Sequence, residues 1–280
     1  MRIDNKLCKP IAISIEKLHP FEGHPYKVLD NEEMEALTES IHTEGILSPL
    51  IVRPLEDTEE YEVISGHRRL HAAQRAGLSK VPALVYEISR EEAAIMLVDS
   101  NLHREHILPS EKAFAYKLKM EALKHRGITC GQVGHKSRDS LTDDDSGRQV
   151  QRYIRLTHLI PELLQLVDDG KIALTPAVEL SYLSEKAQTY LLEEMRRNDC
   201  TPSLSQAIRM KKLYQTGSLS PEDISTIMQE EKANQQEKVS FKTGDIRKFF
   251  PKSYSAAQMQ ETILKLLSEY QRKRQRAAER

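Results

Sequence analysis

The sequence has no tryptophan, few aromatic residues (5%) and only three cysteines among its 280 residues. Cys8, Cys130 and Cys200 are far apart and odd in number, which argues against a disulfide framework and a clustered metal site. No run of about 18 apolar residues is present that could span a membrane, and the N-terminus lacks the apolar segment of a secretory signal. These absences predict a protein of the reducing cytoplasm with no membrane partner.

The sequence also has no excess of charge, since its formal net charge is −1 although 30% of its residues are charged. A balanced chain has no overall attraction for nucleic acid, so any DNA contact must come from local basic clusters. Many charged and few aromatic residues favour a helix-rich protein over an all-β one. The length is sufficient for two or three domains.

Short strands and helices alternate in the first third of the chain. The periodicity predicts strands at 11–15, 50–53, 61–65 and 81–86 and a helix at 32–44 that Asn31 caps. Strand patterns nearly vanish after Ser89. The predicted fold class is therefore α+β, with a small mixed α/β N-terminal domain followed by an all-α domain and a helical C-terminal tail.

A strand-to-helix turn with two adjacent arginines is the first candidate site. The strand pattern of residues 61–65 ends at Gly66, and a helical pattern covers residues 68–76. Glycine permits a sharp turn and lets a ligand approach the free N–H groups at the helix start. With the guanidinium groups of Arg68 and Arg69, these N–H groups predict a phosphate site. A solvated basic turn is the alternative that this motif alone leaves open.

A second polar cluster lies at the end of the helix predicted after Ser89. Asn101, Arg104 and Glu105 have i, i+3, i+4 spacing, so they share one helical face or the turn that follows it. An amide, a guanidinium and a carboxylate together can hold a phosphate and, through an oxygen ligand, a magnesium ion. A solvated helix end with one ion pair is an equally simple interpretation.

Three segments follow one another in the chain: residues 44–54 (EGILSPLIVRP), 61–73 (YEVISGHRRLHAA) and 101–105 (NLHRE). In order and spacing they resemble the ParB family of chromosome and plasmid partition proteins. The resemblance extends from about Ile11 to about Leu213. It implies an N-terminal nucleotide-binding domain, a helix-turn-helix domain that binds a palindromic centromere-like DNA site, and dimerisation near the C-terminus.

The resemblance also implies a ligand and a mechanism. In that family, the two polar motifs bind CTP with Mg²⁺, and binding closes a sliding clamp on DNA. Carried over to this sequence, Gly66, Arg68 and Arg69 lie at the phosphates, Arg104 lies beside them with Glu105, and Asn101 lies near the metal.

Two residues depart from the family's pattern. The family usually has glutamate at the positions of His67 and Ser100, and a carboxylate is the group best suited to orient water or bind magnesium. Asp99 could replace one of them only if the local backbone shifts. Phosphate binding needs the glycine and arginines, which remain. We therefore predict nucleotide binding and regard CTP hydrolysis as doubtful.

The predicted DNA-reading part covers residues 109–157. The pattern indicates a helix from Pro109 to Gly127 capped by Ser110, a short helix from Ser137, and a last helix over 148–158. The side chains predicted to enter a major groove are Arg148, Gln149, Arg152 and Arg155, with Lys136 and Arg138 as phosphate anchors upstream. A basic amphipathic helix with a merely solvated face is the alternative.

The domain prediction follows from these patterns. It places a ParB-like nucleotide-binding domain at 1–107, a helical DNA-binding domain at 108–215, a linker at 216–245 and a C-terminal helix at 246–280. The linker, with partial helix, is predicted from its Ser, Gln, Glu and Lys content. The last helix carries an apolar stripe at Met259, Ile263, Leu266, Leu267 and Tyr270, which predicts a homodimer.

The sequence thus predicts a cytoplasmic, nucleoid-associated partition protein. Its predicted partners are double-stranded DNA, a second copy of the chain and a ParA-like ATPase, and its predicted cofactors are CTP and Mg²⁺. A transcriptional regulator that kept the fold without using the nucleotide is the alternative. A ParB-like nuclease ranks third, because a nuclease needs two or three carboxylates around a metal.

Overall fold

A computed structural model describes residues 9–102, 104, 107–125, 145–230, 246–251 and 253–278. The chain divides into two compact units, Met1–Glu230 and Glu231–Arg280. In the described part of the chain, no helix is both long and apolar enough to cross a membrane.

A five-stranded mixed sheet forms the N-terminal part of the first unit. Its strands are β1 (Ile11–Ser14), β2 (Leu18–Pro20), β3 (Leu50–Pro54), β4 (Tyr61–Ser65) and β5 (Lys80–Val85). Their order is β1-β5-β3-β4-β2, in which β5–β3 and β4–β2 are parallel and the other two pairs are antiparallel. The four predicted strands are present. Strand β2 was not predicted, because three residues that end in proline carry almost no strand pattern.

Three helices belong to this part: α1 (Glu32–Glu44), α2 (His67–Arg75) and α3 (Arg90–Leu102). The prediction for α1 is confirmed, since the Asn31 side chain accepts a hydrogen bond from the Met34 N–H at 3.1 Å. Apolar residues of α1 and α2 pack on the sheet in one cluster that includes Met34, Ile41, Leu50, Val52, Val63 and Leu70. The rigid sheet fixes the turn that follows β4.

In the described residues from 107 to 230, the helices are α4 (Pro109–His125), α5 (Gly147–Arg155), α6 (Pro161–Asp168), α7 (Leu174–Leu180), α8 (Glu185–Asn198), α9 (Leu204–Gln215) and α10 (Pro221–Gln229). They enclose a core that includes Leu156, Leu163, Leu180, Leu191, Met210 and Ile224. A mixed α/β part followed by an all-helical part confirms the predicted α+β class.

Three local features differ from the sequence prediction. Ser110 lies inside α4 and not at its cap, because its hydroxyl donates to Asp168 at 2.6 Å while Glu111 accepts from the Leu108 N–H at 3.1 Å. Helix α5 ends at Arg155, and residues 156–158 form a 3₁₀ turn.

Helix α10 is the third difference, since it packs into the helical core although its segment was assigned to a linker with partial helix. Its Ser220 cap forms a capping box with Asp223, and Ile224, Ile227 and Met228 are buried in the helical core. The polar composition around α10 hid three apolar residues at helical spacing.

The second unit contains helix α11 (Ala256–Ala278). Met259 is buried, whereas Leu266, Leu267 and Tyr270 of the predicted stripe are exposed.

Candidate nucleotide-binding site

An open cavity of about 510 Å³ lies where β4 ends and α2 begins. Its walls come from the β2–α1 segment, the first turns of α1 and α2, and the end of α3. The lining residues are His24, Tyr26, Lys27, Val28, Glu33, Leu37, Ser65, Gly66, His67, Arg68, Arg69, Asn101 and Arg104. The structure therefore brings Gly66, Arg68, Arg69, Asn101 and Arg104 together, although two motifs far apart in the sequence supply them.

Gly66 forms the floor of the turn and needs to be glycine. Its φ is +104°, a value that side-chain-bearing residues rarely adopt. A Cβ atom at this position would lie 3.1 Å from the Leu50 side chain and 3.2 Å from Nη2 of Arg69. The Arg69 side chain thus packs closely against Gly66, and the turn at the start of α2 lines the cavity.

Arg69 braces the wall of the cavity. Its Nη1 donates to the carbonyl oxygens of Ser48 and Pro49, the second at 2.9 Å. Burial lowers the pKa of the Arg69 guanidinium from its usual value. The segment before β3 therefore holds this side chain in place, and its positive charge is only partly solvated.

Arg68 is the more accessible of the two arginines. Its Nη2 lies 3.0 Å from a carboxylate oxygen of Glu33, in the first turn of α1, and both side chains are exposed. Among the described lining residues, Glu33 is the one carboxylate, whereas Lys27, Arg68, Arg69 and Arg104 contribute four cations. This balance gives the cavity a positive potential that suits a polyanion.

Asn101 and Arg104 close the cavity at the end of α3. Asn101 is 8% exposed, and its Nδ2 donates to the Leu97 carbonyl oxygen at 2.7 Å and to Ser100 at 3.2 Å. These bonds use the amide nitrogen, so Oδ1 is the atom that Asn101 can offer to a ligand. The Arg104 guanidinium lies 5.5 Å from the ring centre of Tyr26, a cation–π contact that orients it. Glu105 lies outside the described residues.

His67 has a structural role beside the cavity. Its Nε2 accepts a hydrogen bond from the Phe21 N–H at 3.4 Å, and its ring stacks on His24 with centres 3.7 Å apart. Burial, the neighbouring His24 and Arg104 lower the pKa of His67 to about 3. The imidazole is therefore neutral, and the nitrogen that could act on a ligand is already engaged.

The substitute carboxylate considered above is also engaged. Asp99 accepts a bond at 2.6 Å from Lys119 of α4, and this pair joins α3 to α4. Within the described chain, no cluster of three or more His, Cys, Asp or Glu side chains has the arrangement of a metal site. The cavity thus has groups that bind phosphate and few that activate water.

Four further residues line the cavity although no sequence pattern indicated them: His24, Tyr26, Lys27 and Glu33. None of them belongs to a local motif. Strands β2 and β4 are parallel neighbours, so the segments that follow their C-terminal ends meet at the same edge of the sheet. Because β2 was not predicted, this proximity could not be inferred.

The stability of this site is expected to depend on pH through His67. The imidazole of His67 binds a proton below its usual pKa of 6.5 in the unfolded chain, but only below about 3 in the folded protein. The free energy of unfolding should therefore fall as the pH drops from 6.5 towards about 3. The loss is at most about 1.4 kcal/mol per pH unit. Urea unfolding measured between about pH 7 and about pH 5 tests this window.

The variant His67→Gln keeps an acceptor for the Phe21 N–H and removes the titrating ring. We expect its unfolding free energy to vary less steeply with pH than that of the wild type. His42→Gln, on the exposed face of α1, is the matched control and should retain the wild-type slope. Identical slopes for the wild type and His67→Gln would contradict the assignment.

A second candidate surface lies on α5, where the predicted DNA-reading side chains fall into two groups. Arg148 is exposed, and Gln149 accepts from Arg152 at 3.3 Å. Arg152 also donates to Thr175 of α7 at 2.7 Å. The guanidinium of Arg155 donates to the Ser181 hydroxyl and carbonyl and stacks on the Tyr182 ring at 4.0 Å.

These contacts distinguish an exposed position on α5, that of Arg148, from a position packed against α7, that of Arg155. Arg148 makes no hydrogen bond to the residues that the structure describes, so its fork is open to a ligand. Arg155 holds α5 against the end of α7 and thereby sets the angle of the helix. Lys136 and Arg138 lie outside the described residues.

Comparisons with known proteins give consistent results. A family model described as the ParB N-terminal domain matches residues 5–102. The chain is 30% identical over 199 residues to the chromosome-partitioning protein Spo0J of Thermus thermophilus, covering 71% of this chain and 70% of that protein. It is 34% identical over 162 residues to stage 0 sporulation protein J of Bacillus subtilis, covering 58% of this chain and 54% of that protein.

A solved structure is also similar. The C-terminally truncated chromosome-partitioning protein ParB from Caulobacter crescentus, complexed with CTP-gamma-S, shares 26% identity. The match covers 67% of this chain and 98% of that one, with a TM-score of 0.32.

Proposed function

Because the chain belongs to the ParB family of chromosome-partitioning proteins, we propose that it binds double-stranded DNA specifically and that its cavity binds CTP with Mg²⁺. The observation that carries the nucleotide part is the cavity itself, with four cations and one carboxylate around the glycine turn that opens α2. Backbone N–H groups at a helix start and guanidinium forks are the usual ligands of phosphate.

Asn101 offers an oxygen ligand that suits the magnesium ion of this proposal. Mg²⁺ takes oxygen ligands, retains several waters and is commonly held by one or two protein groups together with substrate phosphates. The Oδ1 of Asn101 is one such group, since the amide nitrogen is bonded within α3. The ion would supply charge neutralisation at the phosphates.

We further propose that the bound nucleotide is cleaved slowly or not at all. Efficient hydrolysis requires a group that orients or deprotonates water. His67 accepts a backbone bond, and Asp99 is paired with Lys119. The site is thus suited to a mechanism in which binding of the nucleotide, and not its cleavage, is the signal.

For the rest of the chain the proposal follows the predicted domains. Residues 1–107 bind the nucleotide and residues 108–215 read DNA through a helix-turn-helix whose last helix is α5. Residues 246–280 pair two copies through the exposed side of α11. Nucleotide binding then closes the dimer as a clamp on DNA, and a ParA-like ATPase acts on the complex at the nucleoid.

Titration with each of the four ribonucleoside triphosphates tests the nucleotide proposal, with Mg²⁺ and duplex DNA present. We expect CTP to bind at least about tenfold more tightly than the other three, equivalent to about 1.4 kcal/mol. Phosphate release should stay near the background rate. Equal affinities for all four would contradict the assignment of CTP.

A transcriptional regulator that does not use the nucleotide is the second candidate, and the replacement of the family's glutamates by His67 and Ser100 favours it. In that case specific DNA binding would persist and no triphosphate would bind. A nuclease is disfavoured, because the described cavity contains one carboxylate and two or three are required.

A further inference from the structure

Lys27 connects the cavity to the helical half of the same unit. It lies in the segment between β2 and α1 and lines the cavity. Its Nζ nevertheless donates to Asp168 at 3.1 Å and to Gln165 at 3.3 Å, both on α6. Its backbone N–H donates to Glu111 of α4 at 2.8 Å. A single residue thus contacts the nucleotide site and two helices of the DNA-binding part.

The carboxylate of Asp168 is the anchor of this connection. Its side chain is only 2% exposed and accepts bonds from the N–H and hydroxyl of Ser110, at 2.9 and 2.6 Å. A buried carboxylate is stabilised by a cation, and Lys27 is the cation that the structure places on it. The Lys27 side chain is 42% exposed, and Lys27 lines the cavity. It can therefore be reached by a ligand without a change in the buried groups.

A lysine is well suited to exchange one anion for another. Its ammonium carries three donors on a flexible four-carbon stem, so it can turn to a new acceptor while its backbone stays in place. A nucleoside triphosphate brings more negative charge than the one carboxylate of Asp168. The Arg68–Glu33 pair resembles this pair in chemistry but lies within the N-terminal part, so it cannot transmit a change to α6.

We propose that Asp168 and the phosphates of the bound nucleotide compete for Lys27. This inference rests on the proposed function of the cavity and adds its coupling to the DNA-binding part. In the nucleotide-free protein, Lys27 holds the β2–α1 segment on α4 and α6. A triphosphate in the cavity draws the ammonium away, which releases the side-chain contact with α6 and leaves Asp168 with its Ser110 bonds.

Four variants of the full chain test the competition through their affinity for Mg-CTP. Lys27→Met removes the ammonium and should weaken binding roughly tenfold, whereas Asp168→Asn frees Lys27 and should tighten it by about threefold to tenfold. In the double variant the gain from Asp168→Asn should disappear, because no ammonium remains to be freed. Lys27→Arg retains a cation and should bind within about threefold of the wild type.

Lys17→Met is the matched control. Lys17 also pairs with a carboxylate, that of Glu59 at 2.6 Å, but it does not line the cavity. Its loss should leave the affinity for CTP unchanged. If Lys17→Met lost as much affinity for CTP as Lys27→Met, the net charge of the protein would explain both losses, and the proposal would be overturned.

Hydrogen exchange at the end of α6 gives a second measurement. In the wild type, CTP should increase exchange at residues 165–168, and in the Lys27→Met variant exchange there should already be raised without nucleotide. Affinity unchanged in Lys27→Met, or lowered in a folded Asp168→Asn variant, would overturn the competition alone. Failure of the wild type to bind any triphosphate would overturn the proposed function as well.

Discussion

The variant Arg69→Ala is expected to lower the affinity for CTP by more than about a hundredfold, or about 2.7 kcal/mol. Arg69 contributes a cation to the cavity and also holds the carbonyl groups of Ser48 and Pro49, so its removal takes away charge and loosens the wall. Isothermal titration with Mg-CTP measures the loss. Specific DNA binding in the absence of nucleotide should remain largely intact.

Arg75→Ala is the matched control for this variant, because Arg75 lies on the same helix. It pairs with Asp30 at 2.7 Å and does not line the cavity. We expect it to bind CTP as the wild type does. Loss of both CTP binding and DNA binding in Arg69→Ala would mean that the variant is misfolded, which circular dichroism would reveal. A folded Arg69→Ala protein with wild-type affinity would contradict the assignment of the site.

The second large effect is expected at Arg148. Its guanidinium fork is open on α5, and an arginine that bonds a guanine edge contributes about 1–3 kcal/mol of discrimination. Arg148→Ala should therefore weaken binding to the specific site by about fivefold to a hundred-and-fiftyfold and reduce sequence preference at one base position. Its unfolding free energy should be unchanged within about 0.5 kcal/mol, since Arg148 is exposed and makes no hydrogen bond to the described residues.

Two other arginines of α5 provide the comparison. Arg152 shares its donors with Gln149 and Thr175, and an effect on base preference is expected there too if the side chain turns to DNA. Arg155→Ala should lower stability and weaken binding to all sequences alike, because Arg155 positions α5 through Ser181 and Tyr182. A uniform loss across sequences in Arg148→Ala would instead assign that residue to a phosphate.

The elements that the sequence predicted well are those with strong local patterns. Helix α1 has an asparagine cap, a periodic apolar face and a terminal glycine, and the structure has the same ends. The turn at Gly66 was also predictable, because a strand pattern ends at this glycine and a helical pattern begins just after it. The family resemblance extended these local patterns to a site built from two distant motifs.

The parts that were missed depend on contacts between distant segments. Nothing near Lys27 in the sequence indicates a partner on α6, and Asp168 looks like an ordinary acidic residue at a helix end. The structural roles of His67 and Arg155 are of the same kind, since each depends on a ring or carbonyl supplied by another element. Tertiary packing decides these cases, and periodicity does not report it.

Nucleotide in the cavity is proposed to act on specific DNA binding. Selection of bound fragments from random duplex DNA, performed with and without Mg-CTP, measures both properties together. We expect enrichment of one palindromic motif and a clear change in the amount or extent of bound DNA when CTP is added. An identical outcome with and without CTP, or the absence of any enriched motif, would contradict it.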